Sequence, residues 1–182
     1  MRIWRLEFGL DEYDDLKTDK EWSIEKIREF DGREHDKDWE KVKVVRLEPE
    51  KKLPLSNAPG FFSHIPVIDK RAKDILENYI SDFVEILPLI NDERDFWAIN
   101  ITNVLDCVDY GKSIYKMFPD GKRILRFKKY SFIEKKLIGE NIFKIKDELL
   151  AAPFVSDEFK NIVDFNNLTG FKFRLVWDSK DD

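Results

Sequence analysis

Apolar and polar residues alternate over Ile3–Phe8, with Trp4, Leu6 and Phe8 on one side and Ile3, Arg5 and Glu7 on the other. That period predicts a half-buried strand. Trp22–Ile24 and Val42–Leu47 read as further short strands, and the charged run Phe30–Lys41 between them reads as an exposed loop. Pro49, Pro54, Pro59 and Pro66 mark a connector over 49–66. Asp69 is a good N-cap, and Ala72, Ile75, Leu76, Tyr79 and Ile80 follow at helical spacing. Glu85–Ile90 reads as a strand and Asn91–Arg94 as a turn. Phe96–Leu105 is apolar on both faces, which predicts a central, buried strand. Ile124–Ile133 and Asn141–Ile145 are predicted strands on either side of Gly139. Ser156 caps a second helix, with Phe159, Ile162 and Val163 on one face and Asp157 and Glu158 in the first turn, where the helix dipole favours them. Asn166, Asn167 and Gly170 end it. Phe171, Phe173 and Leu175 then alternate with Lys172 and Arg174 in a last strand.

These elements predict an α+β fold, mainly antiparallel sheet with two main helices near Lys70–Ile80 and Asp157–Phe165. Trp97, Ile99, Ile101, Phe143, Phe159, Ile162 and Phe173 are the expected core. Pro66–Asp69 before the first helix and Pro153–Ser156 before the second lie 87 positions apart, and so do the apolar positions that follow. Two readings stay open: a duplicated extended–helix–strand unit, and the ordinary look of any such unit. The 182 residues fit one domain, with the alternative of two similar halves joined near 49–66.

Composition narrows the class. Hydrophobic residues make up 42% and charged residues 38%, a chain with both a core and a solvated exterior. The lone Cys107 cannot form an internal disulfide, and nothing resembles a signal peptide or a membrane span, so the expected location is the cytoplasm. The net charge of −5 is unevenly spread. Asp11–Glu40 holds 13 acidic and 6 basic residues, whereas Lys122–Lys136 holds 7 basic residues and one acidic one.

Candidate chemistry is sparse. The sequence has no glycine-rich phosphate loop, no Gly-x-Ser-x-Gly and no histidine or cysteine spacing suited to zinc. His35–Asp38 reads as a solvated charged loop, and His64 as a partly buried histidine. Asp106 and Asp109, flanking Cys107, read as strand-end and turn residues. Arg126–Phe132 interleaves cations with aromatics, as nucleic-acid-binding strands do, but a surface strand with its aromatics inward gives the same pattern. In the acidic segment, Asp36, Asp38, Trp39 and Glu40 are the candidate partner contacts: the ring can anchor and the carboxylates can steer a basic partner.

The order of several segments resembles a family of bacterial immunity proteins encoded beside polymorphic-toxin genes. These are Ile3–Leu6, Pro66–Leu76, Glu85–Leu89, Phe96–Asp106 with Asp109 and Ser113, Ile142–Ile145, Phe154–Phe159 and Leu168–Phe173. The resemblance implies a stoichiometric inhibitor that binds a cognate toxin C-terminal domain, with no cofactor, metal or catalytic residues; it implies that the chain is not an enzyme. Asn100, Asp106 and Gly170 stand in it as structural signatures. The charged segment Asp11–Lys52 lies outside the matching pieces, which is where partner specificity could reside. The alternative is a nucleic-acid-interacting or nuclease-like protein built on the basic strand 124–133, with Asp106 and Asp109 as its carboxylates.

Overall fold

The structure, a computed structural model, describes residues 1–9, 11–35, 37 and 39–181. Its strands and helices, in chain order, are β1 (Arg2–Glu7), β2 (Leu16–Thr18), α1 (Ile24–Arg28), β3 (Val44–Arg46), β4 (Val67–Asp69), α2 (Lys70–Ile80), β5 (Val84–Pro88) and β6 (Phe96–Ile101). There follow β7 (Val104–Leu105), β8 (Ile114–Met117), β9 (Ile124–Lys129), β10 (Ile142–Ile145), β11 (Phe154–Ser156), α3 (Asp157–Phe165) and β12 (Lys172–Asp178). The fold is α+β, and the pairing is antiparallel except between β10 and β7.

The strands form a five-stranded sheet, β12-β1-β11-β10-β7, a three-stranded sheet, β4-β6-β5, and two ribbons, β2-β3 and β8-β9. The two helices sit in equivalent units. β4 enters α2, β5 leaves it, and both run antiparallel to β6 between them. β11 enters α3, β12 leaves it, and both run antiparallel to β1 between them. Each is a split β-α-β unit. The caps also correspond: the Asp69 carboxylate accepts from the Ala72 amide (3.0 Å), and Ser156 Oγ accepts from the Phe159 amide (3.1 Å). Ser156→Ala removes that acceptor and is expected to cost about 1 kcal/mol, a fall of roughly 2–4 °C in melting temperature measured by circular dichroism. An unchanged Tm would show that the cap is dispensable.

Strand alternation divides the core into three. Ala72, Leu76 and Ile80 of α2 and Phe159 and Val163 of α3 share one cluster with Leu6, Ile68, Ile99, Ile101, Ile142 and Val155. On the reverse of the small sheet, Val67, Leu87, Phe96 and Ala98 pack under Leu16, Phe30, Val44, Leu55 and Ile65. On the reverse of the large sheet, Ile3, Phe143, Ile145, Phe154 and Trp177 meet Cys107, Val108 and Phe132. Both faces of β6 are therefore covered, which is why it is apolar except at the buried Asn100. Part of the Pro-rich connector runs inside the molecule, with residues 55–60 all buried. Buried backbone needs partners. Asn57 supplies several by bonding Thr169 and Asp69, and the Ala58 amide donates to the Thr169 carbonyl. Gly170, at φ +89°, fits beside this connector because a Cβ there would lie 2.4 Å from the Ala58 carbonyl oxygen.

Several expectations need correction. Trp22–Ile24 is not a strand: Ser23 accepts from the Lys26 amide (3.3 Å) and starts α1. Phe96–Leu105 breaks at Thr102–Asn103 into β6 and β7, which belong to different sheets, and Val104 is exposed. Strands β2 and β8 lie in stretches whose pattern predicts none. Ile99, Ile101, Phe143 and Phe159 are fully buried, whereas Trp97, Ile162 and Phe173 are half-buried and pack against the cluster from its edge.

Candidate functional site

The segment from Trp22 to Val42 lies against the reverse of the small sheet. Apart from α1 and a 3-10 turn at Lys37, its described residues have no helix or strand, so their main-chain groups need partners from elsewhere. The scaffold provides them. The His64 ring bonds the Ile27 carbonyl (2.9 Å), and Lys144 Nζ donates to the Phe30 carbonyl. Asn100 Nδ2 donates to the Arg33 carbonyl (2.7 Å) and to the Glu85 carboxylate (2.7 Å), which also accepts from the His35 amide (2.8 Å). Within the segment, the His35 ring bonds the Glu29 carbonyl (3.0 Å). Trp39 Nε1 donates outward to the Pro88 carbonyl on β5 (2.9 Å). Gly32, at φ +108°, lets the chain pass close to β7, since a Cβ there would lie 2.4 Å from a Val104 methyl.

These fasteners carry an electrostatic cost. Lys144 is 1% exposed, and burial pushes its ammonium down to about 8, with Asp31 partly opposing the shift. Burial also lowers the His64 imidazole, and the nearby Lys144 charge adds to the fall. The structure thus spends buried polar groups on holding an irregular segment in one conformation.

Outward, the segment mixes charges: Lys26, Arg28, Arg33, Lys37 and Lys41 are exposed among its acids. Glu21, Glu25, Glu29, Glu34 and Glu40 are exposed. Asp14 and Asp15 are instead committed internally: Asp14 is buried beside Arg46 and accepts from the Glu48 amide, and Asp15 accepts from the Gly60 amide. A cleft of about 330 Å³ opens in the segment, lined by Trp22, Phe30, Trp39 and Val42 and bordered by Glu29, Glu34 and Glu40 together with Lys26 and Arg33. Trp22 stacks on Phe30 (5.7 Å) and meets Trp39 edge-on (6.2 Å). Of the candidate contacts, Trp39 is half-buried in the cleft wall and Glu40 is exposed beside it. Asp36 and Asp38 lie outside the described residues.

The remaining candidates are dispersed. His64 is buried and occupied by Ile27. Cys107 is fully buried, and burial pushes its thiol up to about 12. Asp106 pairs with Lys146 (2.7 Å), while Asp109 accepts from the Gly111 and Lys112 amides and holds a turn. Among the described residues, no group of three or more His, Cys, Asp or Glu side chains is placed to hold a metal ion. No helix among them is long and apolar enough to cross a membrane. In the basic stretch the aromatics turn inward: Phe127 stacks on Tyr130 (4.8 Å), and Tyr130 stacks on Phe132 (5.9 Å).

A family model described as the immunity protein family (Imm11) matches residues 9–178, nearly the whole chain. The chain belongs to the Imm11 immunity protein family. Membership points to a toxin-neutralising role exercised on a toxin protein, and to a non-catalytic one. No curated protein matches this immunity protein. The match includes the acidic segment and the side chains that fasten it, so the segment is part of the family domain. Sequence pattern missed Glu85 and Lys144 as fasteners, and Asn100 stood out only through the family resemblance, as a structural signature. The available signal was a polar residue inside an apolar run, as in Ala98-Ile99-Asn100-Ile101 and Phe143-Lys144-Ile145.

Proposed function

We propose that this immunity protein neutralises its cognate toxin by stoichiometric occlusion, binding the toxin's C-terminal domain through the fastened acidic segment. It acts in the cytoplasm. The observation that carries the reading is the fastening itself. Scaffold side chains hold the main chain at Ile27, Phe30, Arg33 and His35, so the exposed Glu29 and Glu34 and the cleft beside them need little ordering on binding. The aromatic lining offers an anchoring pocket, and at its rim Glu29, Glu34 and Glu40 outnumber Lys26 and Arg33, which favours a cationic side chain of the toxin. Asp36, Asp38, Trp39 and Glu40 are the proposed contacts. An inhibitor of this kind covers its target with roughly 1,200–2,000 Å² of interface.

The test is association kinetics against the toxin domain encoded beside the immunity gene. Asp36→Lys, Asp38→Lys and Glu40→Lys together are expected to slow association several-fold at low ionic strength. The difference should shrink at 0.5 M salt, where screening shortens the reach of charge to a few ångströms. The circular dichroism spectrum should be unchanged. An unaltered association rate would remove the acidic segment from the interface.

A further inference from the structure

We infer that the β8–β9 ribbon is a second docking surface of the immunity protein, shaped for an acidic protein face. Resting on the reading above, we assign its occupant as an acidic patch of the same toxin domain. Four observations meet here. The ribbon pairs with no other strand. Residues 112–129 hold seven basic side chains against Asp120, in a chain whose net charge is −5. Lys116 lies directly opposite Arg126 across the ribbon, and both are exposed. Around them Ile114 is 55% exposed and Leu125 is 42% exposed.

The like-charge pair is the decisive feature. Cations facing each other across two strands weaken a ribbon, and a lone two-stranded ribbon has little stability to spare. Several cations elsewhere are neutralised locally: Lys43 with Asp92, Arg46 with Glu93, Lys70 with Asp74, Lys146 with Asp106, Arg174 with Glu7. Among the described residues, Lys116, Lys122, Arg126 and Lys128 have no such ion pair. The opposite face of the ribbon carries the packing, with Tyr115 against Phe127 (5.7 Å) and Tyr110 (6.1 Å). The outer face is therefore free to hold unneutralised cations around an aliphatic centre, and carboxylates from a partner would relieve the repulsion.

That chemistry favours protein over nucleic acid. Base stacking needs open rings; here Phe127 stacks inward on Tyr130, Tyr115 is 36% exposed but lies against Phe127 and Tyr110, and the most exposed apolar groups, Ile114 and Leu125, are aliphatic. With the acidic segment, the ribbon gives the immunity protein two contact faces of opposite sign. A partner bearing the complementary pair binds in a single orientation.

Lys116→Glu separates structure from binding. It turns the Lys116–Arg126 repulsion into attraction, so the melting temperature should hold or rise. Association with the toxin domain should meanwhile slow about three- to tenfold at low ionic strength, converging with wild type at 0.5 M salt. Lys128→Glu, on the bulged strand, should show the same slowing. Each is measured alongside wild type, the acidic-segment variant and a 20-nucleotide single-stranded DNA probe. Wild-type association by both ribbon variants, with the acidic-segment variant impaired, overturns the ribbon assignment and leaves the proposed function standing. Failure of wild type to bind the toxin domain overturns both. Micromolar binding of the DNA that Lys116→Glu abolishes overturns the protein assignment in favour of nucleic acid.

Discussion

Arg5→Met is expected to lower the unfolding free energy of the immunity protein by about 3–5 kcal/mol, the range for breaking a buried, hydrogen-bonded charge pair. Arg5 lies on the face of β1 that points into the aromatic cluster beneath the large sheet, and it is almost completely buried. Its guanidinium donates to the Ala152 carbonyl, the Tyr130 hydroxyl and the Glu148 carboxylate, each at 2.5 Å, and lies 3.7 Å from the Phe154 ring centroid. Met fills a similar volume but supplies no donor, so the Ala152 carbonyl loses its partner and the Glu148 carboxylate loses its counter-charge, keeping only the Tyr130 hydroxyl. Arg5→Lys should recover little, because an ammonium cannot reproduce the planar fork that reaches three acceptors. Urea denaturation reads the effect directly, and the melting temperature should fall by roughly 10 °C. A loss under 1 kcal/mol for Arg5→Met would show that the surrounding rings, and not the charge network, hold this region.

A second large effect should appear with pH. Lys144 titrates near 8 in the folded protein, against its ordinary 10.5 in an unfolded chain. Below pH 8 both states carry the charge, and the folded state bears its full burial cost. Between pH 8 and 10.5 the folded protein releases the proton while the unfolded chain keeps it, so Lys144 makes stability rise with pH. Lys144→Met removes the titration. The unfolding free energy of wild type minus that of Lys144→Met should therefore climb by about 2–3 kcal/mol between pH 7 and 10. Taking the difference cancels the other groups that titrate in that range. Parallel curves for the two proteins would mean that water or a relaxed conformation solvates the ammonium.

What was legible in the sequence followed local rules. The caps Asp69 and Ser156, each followed by an apolar helix face, predicted both main helices. Period-two alternation found most strands, and the 87-residue echo marked two units of equal topology. Family order pointed to an immunity protein. Elements decided by distant partners were not legible. Arg5 reads as the polar side of an amphipathic strand, because the loop that accepts its hydrogen bonds lies some 140 residues away. Helix α1 buries no residue, so no apolar stripe betrays it; only Ser23 does. Strand β8 has so many exposed side chains that its pattern is not that of a half-buried strand. The acidic segment was readable as charge. Its fixed shape was not, since that comes from Glu85, Asn100 and Lys144, all more than 40 residues downstream.

The position of β1 between β11 and β12 also bears on when protection begins. The large sheet cannot close until Lys172–Asp178 has left the ribosome, and the buried connector waits for Thr169 in the same way. At ordinary rates of synthesis β12 follows β1 by about 10–35 s. Through that interval the nascent inhibitor has neither a complete sheet nor a settled connector. A nascent copy cannot present the finished sheet during that interval, so inhibition of a toxin by this protein would fall to copies already folded.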